Sequence, residues 1–383
     1  MSPVVAVLGA GGFIGNRVVE MLHLRGDHVV RPIVRRPESL ALAMRFQLDG
    51  KIADARDEAA LAEAFAGCSH VVHAVAGPPE VIVDSVAPVY DAAAAAGVQR
   101  IIYLSSASVH GQSPAPGTDE STPLSSRQSL AYNNVKVEAE RRLEQLRNGG
   151  SVEVVRLRPG IVHGPRSYWT GGFADEVLSG EAYLVEGGAG ICNSIYVDNL
   201  VNAIHLSLTA PRADGEAFIV GDAETVTWAD LCHPIVDALG CNWDDLIVSA
   251  PAASGWLQGY GLDSKQVLKR AATLLPARPR RSLRAAYATW RAPSLPGKLQ
   301  GQKKPRVSEE KAALHLCRVR LPMDKARRDL GYEPIVDFES ACRHAVSWLA
   351  FAGYPLQVAD KCSTNEALQH LAPSNQRKPK HGA

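Results

Sequence analysis

The chain is 383 residues long, carries 41 Lys plus Arg against 40 Asp plus Glu, and is 46% hydrophobic with 6% aromatics. That balance describes an ordinary soluble globular protein of one large domain or two. No run of about 18 apolar residues suits a transmembrane helix, the N-terminus leaves no room for a signal peptide before the first apolar run, and seven cysteines without a CxxC pair point to reduced thiols in the cytoplasm and no metal site.

Residues 4–8, Val-Val-Ala-Val-Leu, form a short apolar run of the kind a buried parallel strand requires. Gly9-Ala-Gly-Gly12-Phe13-Ile14-Gly15 follows, and 16–24 reads as a helix with Val18, Val19 and Leu22 at apolar positions. Strand, glycine turn and helix in that order are the context of a phosphate-binding loop. Glycine lets the backbone approach a pyrophosphate, and the helix N-terminus supplies free N–H groups and a partial positive charge. The spacing is GxxGxxG rather than the commoner GxGxxG. A glycine-rich turn without ligand is the competing reading, and the strand before and helix after weigh against it.

A second strand is expected over 29–34. At its end an NAD-binding protein carries an acid for the ribose hydroxyls, whereas this chain reads Val34-Arg35-Arg36-Pro37. Two guanidiniums suit a 2′-phosphate, so NADP is preferred over NAD. The bland alternative is a solvated basic loop. Helix signals over 58–66, 86–96 and 131–146 then alternate with strand signals over 71–74, 101–105 and 152–156. The alternation implies an α/β fold, a Rossmann-type doubly wound parallel sheet with helices on both faces. Residues 1–165 are assigned to this dinucleotide-binding domain, with later segments returning to it. Beyond 165 the pattern turns irregular, and 166–355 is assigned to a smaller C-terminal substrate-binding region.

Tyr132 and Lys136 lie four apart in the segment expected to be helical, so they share one face. An ammonium close to a phenol favours the phenolate, and such a tyrosine can exchange a proton with a substrate oxygen near neutral pH. Upstream, Ile101-Ile-Tyr-Leu-Ser105-Ser106-Ala107-Ser108-Val-His110-Gly111 places hydroxyls at the C-terminal end of a strand, where open α/β sheets bind ligands. On its own the Tyr/Lys spacing is that of an ordinary helix pair; the serine strand and the glycine loop change the balance.

Taken together, these motifs resemble the extended short-chain dehydrogenase/reductase superfamily, which contains nucleotide-sugar epimerases and dehydratases and 3β-hydroxysteroid dehydrogenases. The similarity runs from about residue 3 to residue 350. It implies Ser106, Tyr132 and Lys136 as a catalytic triad, with Lys136 also on the cofactor ribose. It implies Gly9, Gly12, Phe13, Ile14 and Gly15 at the pyrophosphate, Asp54 with Ala55 at the adenine, and Ala74, Val75 and Ala76 after His73 along the cofactor. Arg158-Pro159-Gly160-Ile161-Val162-His163-Gly164-Pro165 resembles the segment beside the nicotinamide, which brings in Pro159 and Ile161. Tyr196-Val197-Asp198-Asn199-Leu200 and Lys325 to Tyr332 resemble two further family signatures. A homodimer formed through a helix pair is implied by the resemblance alone.

The departures are informative. Family dehydratases place acids after the triad hydroxyl, where this chain has Ala107 and Ser108, so elimination is disfavoured. The arginine that often meets a nucleotide-sugar diphosphate is missing from Ile191-Cys192-Asn193-Ser194, although Arg166 could serve. His110 and His163 stand where the family usually has tyrosine; each either lines the substrate pocket or is a packed structural histidine. Ser108, His110, His163 and Arg166 are therefore the candidate substrate contacts.

Between Lys265 and Arg306 the chain has twelve Lys or Arg and no Asp or Glu, with Val267, Leu268, Leu274, Leu275, Leu283, Tyr287 and Trp290 interleaved. This basic insertion, 265–306, reads as a cationic surface loop or as a peripheral contact with anionic membranes. An anionic substrate or a partner protein would also fit it. No nucleic-acid module accompanies the charge, so nucleic acid is not expected. Residues 356–383 turn polar and read as a disordered tail. The reading is a cytoplasmic NAD(P)-dependent oxidoreductase acting on a small-molecule secondary alcohol or ketone. A nucleotide-sugar 4-epimerase is the first alternative, and a non-catalytic dinucleotide-binding sensor the second.

Overall fold

The computed structural model of the chain describes residues 3–249, 305 and 307–357. Apart from Pro305, the basic insertion 265–306 lies outside the described residues, as does the expected tail beyond Gln357. Seven parallel strands build the main sheet: β1 (Val4–Leu8), β2 (Val29–Val34), β3 (Lys51–Ile52), β4 (His70–His73), β5 (Arg100–Leu104), β6 (Glu153–Pro159) and the strand Ala217–Val220. Across the sheet they run β3-β2-β1-β4-β5-β6 and then Ala217–Val220. The chain winds outward from β1 to β3, returns across β1 to β4, and winds outward the other way. The crevice at the carboxyl ends of β1 and β4 is thus the topological switch point, where such sheets bind ligands.

Period-two alternation sorts the strands onto two cores. Val5, Val7, Val72, Ile102, Leu104, Val155 and Leu157 face helix α1 (Phe13–Arg25) and the helix Val197–Thr209. Ala6, Leu8, Val71, Ile101, Tyr103 and Val154 face α2 (Glu58–Phe65), α4 (Val86–Ala95) and α5 (Ala131–Gly149), while the short α3 (Pro79–Asp84) adds Ile82 to that side. Each fully buried aliphatic side chain contributes about 1.5–3 kcal/mol. Both faces are covered, which is why these strands read as continuous apolar runs. Helix α1 starts three residues earlier than the apolar pattern alone indicates, because Phe13 and Ile14 pack on neighbouring clusters. The strand Ala217–Val220, a short apolar run, Ala-Phe-Ile-Val, pairs with the free parallel edge of β6.

A smaller apolar layer gathers around Trp228, with Phe173, Leu184, Leu231, Ile235 and Leu349. Its helix Trp228–Ala238 opens on a capping box, Thr227 with Asp230. Short ladders join 161–163 to 194–196 and 191–192 to 226–227. Among the described residues no helix is long and apolar enough to cross a membrane.

The two layers meet where β6 ends. Ile161 N–H donates to the Asn193 carbonyl at 2.8 Å, and a Cβ built on Gly160 would lie only 1.8 Å from that oxygen. Backbone meets backbone there, so no rotamer change relieves the clash. Gly160→Ala should therefore cost about 2 kcal/mol or more, read as a lower urea midpoint with an unchanged slope.

Candidate active site

At the switch point, Gly9 turns the chain at the end of β1 with φ +89°, in the left-handed region that glycine tolerates. A Cβ on Gly9 would lie 2.6 Å from the Ala74 carbonyl at the end of β4, and one on Gly15 would lie 2.3 Å from the Gly9 carbonyl. Loop, strand end and helix therefore close on one another at backbone distance. Gly12 caps α1 with no side chain on the free N–H groups, and no acid occupies the first turn. This end of α1 keeps its donors and its partial positive charge for an anion. The cradle fits a pyrophosphate.

The remaining cofactor candidates are ranged around it. Arg35 and Arg36 are exposed at the end of β2, and among the described residues neither is within ion-pair distance of an acid. Asp54 is held below the usual carboxylate range by Arg56, which pairs with it at 3.0 Å. Ala55 is buried, Ala74 and Val75 are partly buried, and Ala76 is exposed. Pro159 is buried at the end of β6 and Ile161 is partly buried just beyond it.

Ser106 follows β5 and caps the tight turn Ala107–His110; its Oγ accepts the Ser108 N–H at 3.2 Å. Tyr132 stands at the start of α5, 42% exposed, and its hydroxyl interacts with the Ser106 side chain. One turn on, Lys136 is buried and its Nζ donates to the Leu104 carbonyl at 2.8 Å, 6.0 Å from the centre of the Tyr132 ring. The structure brings the three residues together. It also sets them against the simplest electrostatic expectation: burial pushes the Tyr132 phenol up, with Ser106 pulling it down. The ammonium is engaged by a carbonyl rather than by the phenol, so desolvation wins. Burial also lowers Lys136, to about 8.

Helix α5 is fastened by charge. Glu140, buried one turn beyond Lys136, accepts from Ser105 Oγ at 2.5 Å and pairs with Arg158 on β6 through Nε at 3.0 Å and Nη2 at 2.7 Å. Nη1 of Arg158 continues to His110 Nε2 at 3.1 Å. At the other end of the turn, Gln128 donates to the Val109 carbonyl and takes a hydrogen bond from Asn133 of α5.

Beside Ser106 opens a cleft of about 420 Å³ whose lining includes Ser106, Ser108, Asn193, Trp228, Leu314 and Leu321 and, among the described residues, no Lys, Arg, Asp or Glu. Ser108 has its Oγ buried with no hydrogen-bond partner. The other candidate substrate contacts are committed elsewhere. His110 is held by Arg158 and lowered to about 4, first by burial and then by that cation. His163 is buried against Asp222 at 3.2 Å. Arg166, at φ +70°, donates to Asn16 on α1 at 2.8 Å. Asn193, Trp228, Leu314 and Leu321 carry no signal in the sequence, since three distant segments contribute them. Among the described residues no group of three His, Cys, Asp or Glu side chains could hold a metal ion.

Residues 5–221 match the NAD dependent epimerase/dehydratase family. The chain is 30% identical over 281 residues to a 3 beta-hydroxysteroid dehydrogenase/Delta 5-->4-isomerase of Mycobacterium tuberculosis, covering 67% of this chain and 75% of that protein. It is 27% identical over 249 residues to the UDP-glucose 4-epimerase of Vibrio cholerae, covering 61% and 75%. The crystal structure of gox2253 superposes with a TM-score of 0.67 at 25% identity, covering 92% of this chain and 99% of that one.

Gly12 is exposed, with extended backbone angles that a β-branched residue accepts, and a Cβ built on it would lie 3.3 Å from the Gly9 carbonyl oxygen, a tight contact that a small shift of the loop relieves. Gly12→Val should therefore fold with a modest loss of stability and fill the cradle. We expect the apparent dissociation constant for NAD(H) or NADP(H) to rise about tenfold or more, with only a small fall in the ligand-free melting midpoint, as measured by fluorescence titration and calorimetry.

Proposed function

The chain belongs to the NAD dependent epimerase/dehydratase family, within the extended short-chain dehydrogenase/reductase superfamily, and on that premise we propose that it is an NAD(P)-dependent oxidoreductase interconverting a neutral secondary alcohol and its ketone. The observation that carries this reading is the cleft beside Ser106, to whose lining the described residues contribute no charged side chain. A nucleotide sugar brings a diphosphate, which calls for cations. Arg166, the candidate for that task, is turned to α1 instead.

The loop Gly9 to Gly15 and the N-terminus of α1 would hold the pyrophosphate, and the nicotinamide, when bound, supplies or accepts the hydride. Arg35 and Arg36 would take a 2′-phosphate, which makes NADP the preferred cofactor. Ser106 orients the substrate oxygen by hydrogen bond, and Tyr132 gives that oxygen a proton on reduction or takes one on oxidation. Lys136 contributes positive charge on the buried side of Tyr132. Ala107 and Ser108 offer no carboxyl to protonate a leaving hydroxyl, so the site does not support elimination.

Incubation with NADPH and a panel of neutral ketones should consume nicotinamide absorbance, while UDP-sugars should remain unconverted. Sugar interconversion without net loss of absorbance would establish the 4-epimerase instead, and nucleotide binding with neither reaction the sensor. Tyr132→Phe should lower kcat by about 10²–10⁴-fold with cofactor affinity nearly intact; full activity would sink the mechanism. Arg35→Ala/Arg36→Ala should reduce kcat/KM with NADPH by about tenfold or more and leave that with NADH little changed.

A further inference from the structure

The inner face of α5 carries Lys136 and, one turn later, Glu140, both withdrawn from solvent. Among the described residues Lys136 has no acid within ion-pair distance, and its ammonium is directed at the Leu104 carbonyl. Glu140 is fixed by Ser105 and by both arms of Arg158. The neighbourhood therefore holds three buried cations, Lys136, Arg158 and Arg156, and one buried carboxylate.

Around Lys136 stand Tyr132 on its own helix, the Tyr103 ring on β5 with Nζ 5.1 Å from its centre, and His73 on β4, which burial and the Lys136 charge together lower to about 3. Arg158 and Arg156 of β6 act on Glu140. Of these groups only Glu140 is negative at neutral pH. Arginine keeps its proton whereas a buried lysine can shed one. A shortfall of negative charge is therefore met at Lys136.

We propose that Glu140 is the counter-charge that keeps the Lys136 ammonium protonated across one turn of α5, and so a positioning residue for Tyr132. The function assigned to it rests on Tyr132 and Lys136 being the catalytic pair. The balance of influences on Lys136 agrees: burial draws it down and Glu140 holds it up, leaving it at about 8. Without the carboxylate, the cation behind the phenol is lost in the neutral range. The ion pair with Arg158 then has a second consequence, because it pins the carboxylate where Lys136 feels it.

Lys136 can be titrated without turnover. In the full chain carrying ¹³C-enriched lysine, the Lys136 Cε resonance, assigned by its loss in Lys136→Met, reports the protonation state against pH. Glu140→Gln should lower the midpoint by about one unit or more, a tenfold change in the ratio of neutral to charged amine. Glu140→Asp, which retains the charge, should hold it within about half a unit. Since Glu140→Gln strands the buried Arg158, the variant Glu140→Gln/Arg158→Gln supplies a neutral, packable pair; the charge that bears on Lys136 is that of Glu140, so its midpoint should fall as well. A wild-type midpoint in the folded double variant overturns the proposal, and so does an equal fall in Glu140→Asp. The pH profile of kcat is read separately on the same proteins. A lowered Lys136 midpoint with an unchanged profile would keep the charge assignment and remove the catalytic reading of the pair.

Discussion

The buried carboxylate of Glu140 must be compensated, and much of the local architecture answers it. An uncompensated charge in the interior loses several kcal/mol of hydration, and breaking a buried ion pair by removing one partner typically costs about 3–5 kcal/mol. Glu140 meets that demand with three elements at once: its own helix α5, the end of β5 through Ser105, and β6 through Arg158. The same guanidinium goes on to His110 and to the Glu120 carbonyl. Helix, strand ends and the turn after Ser106 are thereby tied to one group.

The geometry of the site follows from where those ties occur. Tyr132 and Lys136 ride on α5, Ser106 on β5, and the glycine loop on β1, so their relative positions are set by a parallel sheet covered on both faces. The cleft wall opposite is of another kind. It is assembled by short ladders and by the apolar packing around Trp228, and it meets the sheet through close backbone approaches at Gly160 with Asn193 and at Asp222 with Ser194. In the proposed reading the sheet and α5 position Ser106, Tyr132 and Lys136, and the layer facing them forms the other wall of the cleft.

How much could be read from the residues alone tracks how local each feature is. Strands over 4–8 and 29–34, the glycine turn and the Tyr132/Lys136 spacing are encoded within a few residues of themselves, and the structure has those elements at those positions. Asn193, Trp228, Leu314 and Leu321 meet only after the chain has folded back several times, so nothing in their neighbours marks them. Glu140 was illegible for a different reason: an acid four residues after a lysine normally signals a solvated helix face, and only the burial of α5 against β5 and β6 changes its meaning. His163 shows the reverse. It sits in a segment that resembles a cofactor-side motif, yet Asp222, 59 residues away, holds it in the core. Position in a motif specifies a place along the backbone, and the partners available there decide what the side chain does.

Tyr183, Val185 and Ala312 form a small apolar cluster against which Val248, Val307 and Leu316 also pack. Ile247–Val248 pairs there with Leu184–Val185, so two stretches of chain far apart in sequence, one ending in Val248 and one carrying Val307 and the helix Glu309–His315, are seated on the same side chains. A substitution that shrinks Tyr183 or Val185 therefore loosens both stretches at once, because each loses packing to the same cavity.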